Sequence, residues 1–246
     1  MSLQIRRYLA EAIGTLVLVG FGTGSILAAL ATDTPLQAAV PLGFGLALLI
    51  GLYMVGEVSG GHFNPAVSLA AFLDRRIGLG DMIGYWIAQI VGGILGSAAV
   101  LLLVDGAAEQ LGSSGRVLVA QTYLGPGPGV GDGVAFFGEV LFTAAFVMAI
   151  LAVTRSLNLG RQSFMAISLS LSAVHFIGVP LTGASVNPAR SLAPAVIGDF
   201  GGPLDNSSLW IYLLAPLVGA ALGWVVYRFV VVGDTNLMAE DQPEAA

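Results

Sequence analysis

Six long apolar blocks, separated by short polar stretches, run along the chain. Each has about the 20 residues that an α-helix needs to cross the hydrocarbon core of a bilayer. Glu139 and His175 interrupt two of them. The blocks are Ala12 to Thr32, Thr34 to Gly56, Met82 to Val104, Gly133 to Thr154, Gln162 to about Val179, and Asn206 to Tyr227. This pattern predicts six transmembrane helices.

Composition supports a membrane protein and excludes several other classes. Hydrophobic residues make up 56% of the chain and charged residues 10%, against about 25% charged in a soluble domain. Without cysteine, the chain can form neither disulfides nor thiolate metal sites. It has two histidines, His62 and His175, and no metal-ligand spacing, so we expect no enzyme activity, no metal and no cofactor. The basic residues are all arginines and form no patch for nucleic acid.

The positions of the arginines predict an orientation. Seven of the nine lie on one side of a six-span arrangement, and cytoplasmic loops are rich in Lys and Arg. We therefore expect a multi-pass protein of the cell membrane with both termini in the cytoplasm. Arg116 lies on the other side, in the link from about Asp105 to Asp132, and Arg190 lies in an apolar stretch. Residues 234–246 are acidic and are predicted to be disordered. The seven are Arg6, Arg7, Arg75, Arg76, Arg155, Arg161 and Arg228.

The two halves of the chain resemble each other. Residues 85–96 align with residues 212–223 at an offset of 127, and six of the twelve pairs are identical. The nearly constant offset of three features indicates an internal repeat. The other two features, at offsets of 123 and 128, are Asn64-Pro65-Ala66 with Asn187-Pro188-Ala189, and Glu11 with Glu139.

Each half holds three spans, which is an odd number, so the second half enters the membrane from the opposite side. The repeat is therefore an inverted one, and functional sites in such folds lie near the bilayer midplane where the halves meet. We expect a first repeat over residues 1–124 and a second over residues 125–233.

A short apolar run follows each Asn-Pro-Ala triplet, from Val67 to Leu73 and from Ser191 to Val196. Both runs are too short to span, and each link has to return to the side that it left. Asn64 and Asn187 are favoured helix N-caps, and proline is favoured at the first helical position that follows. The sequence therefore predicts an all-α integral membrane fold of six transmembrane helices plus two re-entrant half-helices.

These half-helices predict a pore. Two helix N-termini that meet each carry about half a positive charge, which repels cations, including hydronium. The amides of Asn64 and Asn187 can donate hydrogen bonds to a passing water oxygen, which turns its hydrogens away and interrupts a proton wire. Non-helical backbone at membrane depth is tolerated where it lines a cavity, so the preceding loops can offer carbonyl acceptors to a permeating molecule. These acceptors belong to Gly60, Gly61, His62, Gly183 and Ser185.

Two longer motifs carry a family resemblance. They are Gly60-Gly61-His62-Phe63-Asn64-Pro65-Ala66-Val67 and Ser185-Val186-Asn187-Pro188-Ala189-Arg190-Ser191. The chain is similar to the aquaporin, or major intrinsic protein, family from Ala10 to the sixth span. This resemblance implies a pore with water as the permeant within each protomer, usually in a homotetramer in the lipid bilayer. It also implies that Glu11 and Glu139 are buried and hold the re-entrant loops by hydrogen bonding. The compact loops and short tails suit a prokaryotic member.

The resemblance further implies a narrow filter made of Phe44, His175, Ala184 and Arg190. An arginine in hydrocarbon costs about 2.5–3.5 kcal/mol, so Arg190 is expected to face water or a partner. There it would donate hydrogen bonds to the permeant and repel cations.

Four positions, two of them in the filter, bear on the choice between water and glycerol. Relatives that pass glycerol resemble one another in a small residue at the position of His175 and an Asp directly after the filter arginine. This chain has His175 and Ser191, which favours water. Ala184 is smaller than the Thr or Cys often found in water-selective relatives, and Leu213 stands where many carry Trp. A channel that also passes glycerol or other small neutral solutes therefore remains an alternative.

A passive channel that conducts water and excludes protons and ions fits these residues best. A secondary transporter can also use an inverted repeat with broken helices, and Glu11 and Glu139 are its candidate coupling acids. Saturable, ion-dependent flux would distinguish a transporter from a channel. A packing protein without a transport role is known among family relatives, but the complete filter disfavours it.

Overall fold

The computed structural model describes residues 1–104, 125–155, 160–198 and 206–233, and the regular elements in these ranges are helical. Within these described ranges, six helices are long and apolar enough to cross a membrane, which confirms the predicted number of spans. Two short helices follow the Asn-Pro-Ala triplets. In chain order the helices are α1 Leu3–Ala31, α2 Leu36–Gly51, α3 Pro65–Leu73, α4 Leu79–Val104, α5 Asp132–Val153, α6 Gln162–Thr182, α7 Pro188–Ile197 and α8 Leu209–Val226.

Three sequence-based predictions lie outside the described residues. They are the position of Arg116, the disorder of residues 234–246, and the boundary between the repeats at residue 124. They stay predictions.

Several spans extend beyond the apolar blocks that predicted them. α1 begins at Leu3 because the Ser2 hydroxyl caps it, accepting from the Ile5 N–H at 3.3 Å. α2 continues through a π-helical turn, Leu52–Gly56, and α8 continues as the π-helical segment Tyr227–Val232. Long arginine side chains can reach the polar interface from the last turns of a spanning helix, so an apolar block ends earlier than its helix.

The two short helices begin at their triplets. Asn64 Oδ1 accepts from the Ala66 N–H at 2.8 Å, and Asn187 Oδ1 accepts from the Ala189 N–H at 3.0 Å. A proline then occupies the first helical position, where a missing N–H costs nothing. With 9 and 10 residues, α3 and α7 are each about 15 Å long, roughly half the hydrocarbon thickness.

The two halves of the chain make equivalent helix contacts. α1 packs on α2 and α4, and α5 packs in the same way on α6 and α8. α3 lies against α8 while α7 lies against α4, so each half-helix also contacts the other half. α2 meets α6, and α3 meets α7, at the junction. An inverted repeat requires such equivalent contacts. They bring both triplets to the centre of the bundle.

Repeated glycines allow the closest helix contacts. A Cβ added to Gly92 of α4 would overlap the carbonyl oxygen of Ala12 in α1, and one added to Gly96 would lie 2.6 Å from that of Leu16. In the second half, a Cβ at Gly219 of α8 would lie 2.5 Å from the Val140 carbonyl oxygen. Small residues let membrane helices pack backbone to backbone, so these glycines fix how tightly each half closes.

Candidate pore

The loops before α3 and α7 share an unusual backbone. In each loop three residues have a positive φ, at positions that correspond between the halves. Side-chain-bearing residues rarely adopt this region, so the surrounding structure has to hold them in it. The values are 98°, 66° and 48° at Gly60, Gly61 and Phe63, and 80°, 49° and 46° at Gly183, Ala184 and Val186.

Glu11 of α1 is fully buried and accepts four hydrogen bonds around the first loop. Its Oε1 accepts from the His62 N–H at 3.0 Å and from the Ser59 hydroxyl at 2.6 Å. Its Oε2 accepts from the Phe63 N–H and from Gln89 Nε2, both at 2.7 Å. These bonds offset the cost of burying the carboxylate and fix the loop.

Glu139 of α5 is equally buried and binds the second loop. Its Oε1 accepts from the Thr182 hydroxyl at 2.7 Å and the Ser185 N–H at 2.9 Å, and its Oε2 accepts from the Val186 N–H at 2.8 Å. Pro216 stands at the position that corresponds to Gln89, and the proline side chain has no donor to replace the Gln89 amide. The second anchor therefore lacks the fourth bond of the first.

Two tyrosines that sequence reasoning did not single out also hold the loops. The Tyr85 hydroxyl donates to the Ser59 carbonyl at 2.6 Å, and the Tyr212 hydroxyl donates to the Thr182 carbonyl at 2.7 Å. Tyr85 and Tyr212 are an identical pair in the repeat, so the signal was present in the sequence. What the sequence lacked was the acceptor, which the fold brings from another helix.

The two triplet asparagines cross-link the half-helices. Asn64 Nδ2 donates to the Val186 carbonyl at 2.8 Å, and Asn187 Nδ2 donates to the Phe63 carbonyl at 2.9 Å. Since a side-chain amide carries two N–H groups, each asparagine keeps one further donor. Both asparagines line the same cavity, so these donors are available where the half-helices meet.

That cavity is a narrow lumen at the centre of the bundle. Its volume is about 20 Å³, counted as the space that the centre of a water molecule can occupy, so it has room for one or two waters. Apolar side chains and polar groups share its wall. The lining residues are Leu18, Phe44, Leu48, His62, Asn64, Phe146, Leu171, His175, Ser185, Val186, Asn187 and Arg190.

Three of the four predicted filter residues meet in this lumen. The rings of Phe44 and His175 stack with centroids 5.2 Å apart and an interplanar angle of 19°. Arg190 Cζ lies 4.6 Å from the centroid of Phe44, a cation–π distance. His175 Nδ1 donates to the Leu171 carbonyl at 2.9 Å, because a carbonyl can only accept. In a neutral ring Nε2 is then an acceptor, and Nε2 has no hydrogen-bond partner in the described part of the chain.

Ala184 lies beside the lumen rather than among its lining residues. It is fully buried, and its methyl group faces Gly178 of α6, where an added Cβ would be 2.7 Å away. The Ala184 side chain thus occupies a different position from the rings of Phe44 and His175.

The predicted carbonyl acceptors accept no hydrogen bond from the described residues, whereas the Phe63 and Val186 carbonyls are bound by the asparagines. Gly60, Gly61 and His62 line a second cavity of about 330 Å³, which continues from the narrow lumen at His62. The wider cavity leads toward the membrane side where Arg7 and Arg76 lie. Contact between these carbonyls and a permeant stays a prediction.

Comparison with known proteins gives consistent results. Residues 1–227 match the family model described as Major intrinsic protein. "Glycerol uptake facilitator protein-like 6" from Lactiplantibacillus plantarum is 44% identical over 89% of this chain and 94% of its own length. "Aquaporin Z" from Brucella melitensis is 37% identical over 92% of this chain and 97% of its own length.

A solved structure shares the fold. The aquaglyceroporin from Plasmodium falciparum superposes with a TM-score of 0.83 over 95% of this chain and 99% of its own, at 24% identity. At that identity the likeness concerns the architecture: six spans and two half-helices around a central lumen.

Proposed function

The chain belongs to the major intrinsic protein family of membrane channels, and from this premise we propose that it conducts water passively down osmotic gradients while excluding protons and ions. The observation that carries the proposal is the narrow lumen with room for one or two waters, whose wall includes a constriction formed by Phe44, His175 and Arg190. Glu11 and Glu139 are both bound by loop donors, which disfavours a coupling role for either acid in a transporter.

Proton exclusion follows from the junction of α3 and α7. The remaining amide N–H groups of Asn64 and Asn187 both donate to one water oxygen there. That water then points its hydrogens away along the lumen and accepts none from its neighbours, so a proton cannot hop through it. The positive ends of the two half-helix dipoles add a barrier to cations on the same path.

Selection of water falls to the constriction. Arg190 donates to the oxygen of a permeating molecule, and His175 Nε2 accepts from one of its hydrogens. A water molecule therefore regains in the constriction hydrogen bonds that it gave up on leaving bulk water. The His175 ring also removes space that glycerol's three-carbon backbone needs.

Glycerol passage is the second candidate, and two observations favour it. A relative at 44% identity carries the name of a glycerol uptake facilitator-like protein, and Ala184 with Gly178 forms a small-residue wall beside the filter. Paired flux measurements on purified protein decide between the two. Water conduction predicts that proteoliposomes shrink much faster than protein-free vesicles under osmotic shock, with a low activation energy. Equal shrinkage rates would contradict the proposed function.

Replacing His175 by glycine tests the basis of selectivity. We expect His175→Gly to raise glycerol flux about tenfold or more, because the lumen widens and loses a polar wall, while water flux persists. Ser170→Gly on the same helix is the control, since Ser170 does not line the lumen and its hydroxyl bonds to its own helix. Glycerol flux that stays at background in His175→Gly would place the constriction elsewhere.

We also propose that four protomers assemble in the cell membrane, each with its own pore, and that both termini face the cytoplasm. An apolar hollow of about 620 Å³ between α1 and α2, lined by Phe21, Gly24, Gly43 and Leu46 among others, supports a helix-packing face on the outer surface. Light scattering of the purified protein should give four times the chain mass of 25.1 kDa after detergent correction. A monomer mass would contradict the assembly.

A further inference from the structure

A third cavity, which is polar, lies at one end of the bundle and shares no lining residue with the pore. It has a volume of about 920 Å³ and opens where α3 ends, where the chain leaves α5, and where the last turns of α8 begin. Its lining combines basic, aromatic and apolar side chains. The residues are Leu73, Asp74, Arg75, Arg155, Trp224, Tyr227, Arg228, Phe229, Val232 and Gly233.

The cavity carries excess positive charge. Three arginines line it, and its one carboxylate, Asp74, is bound by Arg76 at 2.7 Å. Arg155 donates to the Val231 carbonyl at 3.3 Å, which holds its guanidinium at the cavity wall. No acid of the described ranges lies within ion-pair distance of Arg75, Arg155 or Arg228. Such a set of guanidinium groups matches the oxygens of a phosphate, which arginine binds through paired N–H groups.

The Trp224 ring forms part of the same wall. Its indole Nε1 is covered by protein atoms, so the ring offers the cavity an apolar surface and not a hydrogen-bond donor. The polar recognition in this cavity therefore falls to the arginines.

Next to the cavity, the outer surface is apolar. The side chains of Phe229 and Val230 are 73% and 76% exposed, and they belong to the last spanning helix. An exposed apolar surface on a spanning helix contacts lipid chains, while the arginines lie at the end of the same span. The cavity thus lies where lipid phosphates meet the hydrocarbon.

We propose that this cavity binds the phosphate of an anionic phospholipid headgroup, with the acyl chains lying along Phe229 and Val230. Arg75 and Arg228 hold the phosphate oxygens, and Arg155 adds charge. Basic pockets between membrane helices are established sites for anionic headgroups. The site is separate from the pore, so its occupancy does not depend on what the channel conducts.

The test compares two double variants of the full chain that lose the same charge from the same side of the membrane. R75Q/R228Q empties the cavity of two cations but keeps the Arg155 contact to Val231, and R6Q/R161Q removes two arginines that line neither this cavity nor the pore. Binding of phosphatidylglycerol and of phosphatidylcholine to each purified protein is measured by native mass spectrometry. A parallel arm adds inorganic phosphate as competitor.

We expect R75Q/R228Q to bind phosphatidylglycerol about 25-fold more weakly than the parent, because it loses two arginines of the site and each contact of an arginine with an anionic headgroup contributes about fivefold. R6Q/R161Q should bind it as the parent does, and phosphatidylcholine binding should not differ among the three. An equal loss in both double variants would overturn the site. Displacement by millimolar inorganic phosphate would assign it to free phosphate instead of lipid. A further variant ends at Gly233. If only that variant binds phosphatidylglycerol, the cavity is the site of the chain's own acidic residues 234–246 in the full chain, which would also overturn the proposal.

Discussion

Gly22 of α1 sets the position of the Phe44 ring, although it does not itself line the lumen. A Cβ at Gly22 would overlap the ring atoms of Phe44, so the ring can lie where it does because this position has no side chain. The geometry of the constriction therefore depends on a residue in a neighbouring helix.

Gly22→Ala is expected to displace the Phe44 ring and lower water permeability severalfold, with the protein still inserted in the membrane. Gly80→Ala, near the start of α4, is the control, because no atom lies within 4 Å of a Cβ added there. Stopped-flow light scattering of proteoliposomes measures both. Equal permeabilities would show that the Phe44 position does not limit flux.

Arg190 bears the charge of the constriction. Replacing it by valine removes a cation that repels others at close range, a term of about 4 kcal/mol at 4 Å with an effective dielectric constant of 20. We expect Arg190→Val to raise proton or cation leak at least about tenfold, measured with a pH-sensitive dye inside the vesicles. Arg6→Val, outside the lumen, should leave the leak at the parent level. An unchanged leak in Arg190→Val would shift cation exclusion to the half-helix junction alone.

Local chemistry made some pore residues visible in the sequence and hid others. Asn64 and Asn187 cap the helices that follow them, and Arg190 is costly in an apolar stretch, so each could be identified from its neighbours. Phe44 could not, because a lone aromatic in a span has no local signal, and it entered through the family resemblance. The positive φ of Phe63 and Val186 was also hidden, because it depends on hydrogen bonds to acids about 50 residues away in the chain.

At the scale of elements, each half-helix depends on a buried acid in a different span. Glu139 holds the second loop through three hydrogen bonds, and Glu11 holds the first through four. The sequence predicted the pairing of these acids from the repeat. It did not predict Gln89 as an extra donor, because the corresponding residue, Pro216, shares no chemistry with it.

Glu139→Gln tests this anchor. A glutamine retains one carbonyl oxygen but turns its amide group toward a loop N–H, which leaves a buried donor unsatisfied at a cost of about 1–3 kcal/mol. We expect a lower unfolding temperature in detergent and reduced water flux. Glu57→Gln breaks an exposed ion pair with Arg161 and should change the unfolding temperature little. Equal unfolding temperatures for Glu139→Gln and the parent would show that this acid does not hold the loop.

Element ends were the least predictable part of the fold. The apolar blocks located all six spans, yet α1 begins nine residues before its block because a serine cap and arginines at the interface extend it. The π-helical continuations of α2 and α8 have no sequence signature in these blocks. Hydrophobicity shows which residues lie in the hydrocarbon layer, whereas capping side chains and packing determine where a helix begins and ends.

At the scale of the whole molecule, the two halves use the same helix packing. The glycine contacts of α4 on α1 recur as those of α8 on α5, and the half-helices contact the long helices of the opposite half. An odd number of spans per half was enough to predict this inversion. The lumen itself could not be derived that way, because its width depends on side chains from both halves, which come from five helices and two loops.

The central claim is that water crosses through the lumen between Phe44, His175 and the two asparagines. The chain has no cysteine, so a single introduced thiol can be blocked selectively. Leu171 lines the lumen, whereas Leu169 on the same helix is 62% exposed on the outer surface. Osmotic shrinkage of proteoliposomes should be fast for Leu171→Cys and fall toward the protein-free rate when a small mercurial reagent is added, while the parent and Leu169→Cys stay fast. Water flux through Leu171→Cys that persists after complete mercurial labelling would contradict the claim.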